Sequence, residues 1–130
     1  MRAPHMKVSA LAAIAAGLAL QACAPAVEAP ADRGVCFHVQ PVKDHKLRFN
    51  KLSENESDLE HCAARLEAMR LQFLRLGGSS TEIWGSFQGQ FLFIRPEGVF
   101  TASSLTTTPY LALIRAPGGR LVTPGTGAGG

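Results

Sequence analysis

Three cysteines, at positions 23, 36 and 62, are the residues of this chain most readily put to chemical use. A thiol can be acylated, can close a disulfide, or can ligate a metal as the thiolate. For a metal, the nearest approach to a ligand set is Cys36-Phe37-His38 together with His61-Cys62. Neighbouring residues on a helix point about 100° apart, so His61 and Cys62 make poor co-ligands, and no metal site is expected. His45 and His61 read as solvated surface residues. Glu54, Glu56 and Asp58 crowd one short stretch, where carboxylates serve a helix start better than a general acid–base pair. No nucleophile-elbow pattern is present. The residues therefore point away from an enzyme and from a cofactor.

The surroundings of Cys23 have the order of an export signal. Arg2 and Lys7 precede an uncharged run from Val8 to Leu20, about 13 residues of mostly Ala, Leu, Ile and Val. A secretory apolar region needs ~7–15 residues, and a membrane-spanning helix needs ~20. Met6-Lys7 followed by the run is a complete signal by itself. The run ends in Leu20-Gln21-Ala22-Cys23, which resembles a bacterial lipobox: aliphatic three positions before the Cys, small one position before it. The resemblance covers about the first 25 residues. It implies a lipoprotein precursor whose signal, residues 1–22, is removed. Cys23 would then carry diacylglycerol on its thiol and a further acyl chain, such as palmitate, on its new amine. Several acyl chains on one residue suffice for stable anchoring, where one does not. Ala24, rather than Asp, follows the Cys, as in lipoproteins sorted to the outer membrane with the domain facing the periplasm. Two other fates stay open, ordinary secretion with a cut after Ala24 and retention as an uncleaved anchor. Pro25 beside the cut opposes the first, and the shortness of the run opposes the second.

With Cys23 assigned to lipid, Cys36 and Cys62 form an even pair in an oxidising compartment. A bond between them would close a loop of about 25 residues, worth ~3 kcal/mol in the chain-entropy account. Two free buried thiols are the alternative. The pairing carries a geometric condition. "GVCFHVQP", Gly34 to Pro41, alternates as a strand and is expected to stop at its Pro. A bond to a helical Cys62 requires Cys36 and His38, not Val35, Phe37 and Val39, to face the helix.

The elements that must position these residues follow from periodicity. Leu59, Cys62, Ala63, Leu66, Met69 and Phe73 recur at three- and four-residue steps, as one apolar helix stripe. Ser53 with Glu56, or Ser57 with Glu60, fits a capping box at its start. Arg70 and Arg75 suit the dipole at its end, and Gly77-Gly78 supplies a left-handed cap. Lys46 to Leu52 alternates weakly, Thr81 to Ser104 carries three strands, and Pro109 to Ala116 reads as one more. The expected fold is α+β, one amphipathic helix on an antiparallel sheet of about four to five strands, in the order β(β)αβββ(β). The domain is expected over 34–116. It would follow an Ala/Pro-rich tether at 23–33, extended by Pro25 and Pro30, and precede a disordered Gly-rich tail at 117–130.

Turn chemistry fixes the register. A two-residue loop at Gln88-Gly89 pairs Ser86 with Phe91, Trp84 with Phe93 and Glu82 with Arg95. A second two-residue loop at Pro96-Glu97 would place Phe93 opposite Phe100, whereas a three-residue turn there would move Phe100 to the other face. With the two-residue loop, Trp84, Phe93 and Phe100 share one face, and Ile83, Leu92, Ile94 and Val99 the other. The helix can cover one face; either the first strand or chain termini cover the other, or the aromatic face is partly open and meets a partner. The charge is modest. Of 13 Lys and Arg, Arg2 and Lys7 leave with a signal, so 11 stand against 10 Asp and Glu, a net +1. No clustered basic patch points to nucleic acid. The sequence leads to a small lipid-anchored envelope protein. Its partners would be the bilayer, through acylated Cys23, and an envelope protein or peptidoglycan. Its periplasmic domain reads as an interaction or structural module, and the alternative is an envelope enzyme inhibitor or peptidoglycan-binding module.

Overall fold

A computed structural model describes residues 27–125. The lipobox, Cys23 and the signal 1–22 lie outside the described residues. The elements run β1 (Cys36–Val42), β2 (Lys46–Ser53), α1 (Leu59–Arg75), β3 (Ile83–Phe87), β4 (Gln90–Arg95), β5 (Gly98–Ala102), β6 (Tyr110–Arg115) and β7 (Leu121–Val122). They form one helix packed on a seven-stranded sheet of order β2-β1-β3-β4-β5-β6-β7. Every ladder is antiparallel. The α+β class holds, and four to five strands is an undercount.

The two tight turns act as their residues demand. Gln88 and Gly89 both take positive φ, 45° and 85°, and pair Ser86 with Phe91 and Trp84 with Phe93. Across the Pro96-Glu97 turn, Phe93 lies opposite Phe100. β1 and β2 are joined through Asp44 and His45, which also take positive φ. β1 passes through Pro41 to Val42 instead of stopping there. The β1–β3 ladder ends at the Val39–Trp84 pair, so Pro41 lies past it, where a residue without an N–H is tolerated.

The helix starts one residue after the later of the two capping boxes and more than a turn after the earlier one. Asp58 is the N-cap, and its side chain accepts from the His61 N–H at 2.9 Å. Ser53 instead donates to Glu56 at 2.6 Å, and that carboxylate also takes Arg65. At the other end, Gly77 takes φ 93°, the Gly78 N–H donates to the Phe73 carbonyl, and the Gly77 N–H donates to Leu74. This is the paired Schellman arrangement. Phe73 is not part of the core stripe. It is 46% exposed and its ring lies over Gly78.

Cys62, Ala63 and Leu66 pack on Leu92, Ile94, Val99 and Leu113. The approach is close enough to require glycine at position 85. A Cβ there would stand 2.3 Å from Leu66 Cδ1 and 2.8 Å from the Phe37 carbonyl oxygen. Leu121 joins this core from β7, so the tail is ordered at least this far. Gly118 and Gly119, at φ 92° and 90°, make the turn that returns the chain, and Ala116 N–H donates to Arg120 O. Arg70, near the helix end, is buried. It bonds Glu67 at 2.7 Å, and Arg115 of β6 takes the other Glu67 oxygen. Burial raises the Glu67 carboxyl, but the two guanidinium groups outweigh it and hold the group below its ordinary value.

Candidate functional site

The Cys36–Cys62 disulfide joins the start of β1 to the first turns of α1, with the Cα atoms 5.3 Å apart. Both residues are fully buried. Cys36 and His38 point to the helix side of the sheet, as the bond requires, where they pair with Phe87 and Gly85. The bond occupies both thiols, which removes them from any metal set. His38, partly buried beside α1, is held below the ordinary imidazole range by desolvation.

The opposite face carries the aromatic row. Trp84, Phe93, Phe100 and Leu111 are successive cross-strand neighbours on β3, β4, β5 and β6. The Trp84 and Phe93 rings meet edge to face, 5.6 Å apart at 84°. Arg95 stands over two rings, 5.5 Å from the Phe93 centroid and 4.9 Å from that of Phe100. Glu82 ties the group together. Its carboxylate accepts from the Trp84 indole N–H and, at 2.9 Å, from Arg95 Nε.

The three predicted face residues are brought together but are not equally open. Phe93 is 5% exposed, whereas Trp84 and Phe100 are half-buried. The difference comes from residues 27–33, expected only as a spacer. Ala29 packs against Phe91, Phe93 and Ala102. The Pro30 carbonyl accepts from Gly89 N–H at 2.8 Å, and Gly34 N–H donates to Gln88 Oε1 at 2.8 Å. A chain terminus thus covers the middle of the face and leaves its flanks. Leu111, beside Phe100, is 40% exposed.

A second feature has no signal in the sequence. Where β1 and β3 part beyond Val39 and Trp84, a cleft of about 450 Å³ opens between Gln40 and Pro41 on one wall and Ser80 and Glu82 on the other, with Met69 and Phe73 along the helix. Asn50 orients the Gln40 amide through a 2.8 Å bond. The Ser80 hydroxyl donates to the Glu82 carbonyl, and the Glu82 carboxylate is committed to Trp84 and Arg95. His38 also lines this cleft. Finding the cleft needs the point at which the two strands diverge, which periodicity does not encode.

Among the described residues, no helix is long and apolar enough to cross a membrane. A scan of family models, a search of curated proteins and a search of solved structures each return no match to the chain.

Proposed function

We propose that this chain is a small lipid-anchored protein of the bacterial envelope, carried on the outer membrane with its domain in the periplasm, and that the domain is an interaction or structural module. The observation that carries the reading is Leu20-Gln21-Ala22-Cys23 at the end of a short apolar run that follows a basic start. The Cys36–Cys62 disulfide supports it from a separate direction, since such bonds persist in oxidising compartments. The flanks of the aromatic row, Trp84 and Phe100, are the contact residues in this reading.

Mass spectrometry of the mature N-terminus tests the anchor. The expected result is a chain that begins at Cys23 and carries acyl mass, with both features lost in Cys23→Ser. A mature chain with unmodified Cys23 overturns it. The cleft beside Trp84 favours a second reading, glycan binding, because the Gln40 amide and a neutral His38 line it beside an indole. Retention on isolated sacculi, lost in Gln40→Ala, would favour that reading. Passage through the sacculi would remove it.

A further inference from the structure

The segment before β1 has a direction. From Gly34, held by Gln88, it passes Pro30 at the β3–β4 turn and reaches Ala29 over β4 and β5. The described segment therefore comes to lie on the aromatic face at Ala29. Cys23 is six Cα steps from Ala29, and an extended chain spans at most ~3.5 Å per step, so an anchor at Cys23 has a reach of at most about 21 Å from Ala29. A folded unit of about 95 residues has a radius of gyration near 12 Å and is wider than that reach. An acylated Cys23 cannot hold such a unit far from its bilayer, and the face that bears Ala29 is the one turned toward it.

That face is furnished for the position. Phe100 and Leu111 lie side by side, Leu105 is exposed in the loop at the end of the sheet where Ala29 is seated, and Trp84 closes the row. Aliphatic and aromatic side chains with an indole at the margin match the headgroup–acyl boundary. Arg95 is already paired with Glu82, so the patch has no net charge of its own from these two groups.

We infer that the aromatic face docks on the lipid surface that holds the anchor, with Phe100 and Leu111 at the boundary and Trp84 beside them. This rests on the reading that Cys23 is acylated. Docking is apolar and does not depend on anionic lipid. Trp84 is the only tryptophan in the chain, so its emission reports on this face alone.

The test uses the full chain isolated with its acyl groups. It is reconstituted in phosphatidylethanolamine–phosphatidylglycerol vesicles, with and without bromine-labelled phosphatidylcholine, and its N-terminal mass is measured on the same sample. Brominated lipid should quench Trp84. Iodide in the buffer should quench it several-fold less than in soluble Cys23→Ser, and Leu111→Glu should restore iodide access with acylation intact. Acylated protein whose Trp84 stays as open to iodide as in Cys23→Ser overturns docking and leaves the anchor standing. Shielding from iodide without quenching by brominated lipid overturns it in favour of a second copy on the face. Absence of acyl mass removes the anchor and the docking together.

Discussion

The sheet has two apolar faces, and they are closed by different means. Under α1, closure is a helix, a disulfide and a buried ion triad, with Cys36, Cys62 and Leu66 all fully buried. On the far side, a few residues of extended chain seat one alanine among phenylalanines and are held by Pro30 and Gly34 through two hydrogen bonds. Both faces are rich in large side chains, so hydrophobicity does not separate them. What separates them is how much of the cover is built from cooperative structure. A helix buries a stripe and fixes it; a strap covers a spot and leaves the rim available.

The largest test of this contrast is to remove the bond that locks the helix face. The double variant Cys36→Ala/Cys62→Ala should lose about 3 kcal/mol in urea denaturation. A loss below ~1 kcal/mol would show that packing alone closes that face. Next is Glu67→Gln, which leaves Arg70 and Arg115 without their carboxylate and should cost about 2–3 kcal/mol at neutral pH. The sign with pH follows from the lowered carboxyl. Its contribution is complete above the unfolded carboxyl range near pH ~4.3 and fades as pH falls through the lower folded value. Parent and variant should therefore converge in acid, and a gap of undiminished size at the acid end would assign the cost to packing.

Ala29→Glu probes the strap. It should cost about 1 kcal/mol, and hydrogen exchange should quicken at the Gly89 amide, which donates to Pro30, while the amides of α1 stay protected. Equal loss of protection in α1 would mean that the strap and helix form one unit and that the contrast fails. The smallest effect belongs to the rim. Leu111→Ser in the soluble Cys23→Ser form should stay within about 0.5 kcal/mol of its parent; a larger loss would move Leu111 into the core.

Much of this architecture is legible in the residues. Gln88-Gly89 is short enough to dictate pairing of Trp84 with Phe93, and the Phe93–Phe100 pair selects the two-residue turn at Pro96-Glu97 over the three-residue one, which sets Trp84, Phe93 and Phe100 on one face and Ile83, Leu92, Ile94 and Val99 on the other. The disulfide, once assumed, turns Cys36 and His38 toward the helix. The misreadings share a cause: isolated residues whose partners are distant in sequence. Ala29 has no periodic neighbours to mark it as core. Arg70 reads as a helix-end charge, and its burial with Glu67 shows only once Arg115 arrives from β6. Leu121 and Val122 are two apolar residues among glycines, too few to announce a strand. Asp58 competes with Ser53 and Ser57 for the cap, and only backbone geometry selects it.

The topology makes the disulfide matter for the speed of folding as well as for its endpoint. Five of the six ladders join strands consecutive in the chain; only β1 with β3 is non-local. Cys36 and its strand partner Phe87 are separated by roughly 50 residues, but by roughly 25 along the path through Cys62, and halving a loop lowers its closure cost by about 0.6 kcal/mol. If that saving is realised in the transition state, an oxidised chain closes the one non-local ladder among its described residues about threefold faster than a reduced one. A chain threaded across a membrane unfolded and oxidised on arrival would complete its sheet sooner, with less time for the edge strand β2 to find another chain.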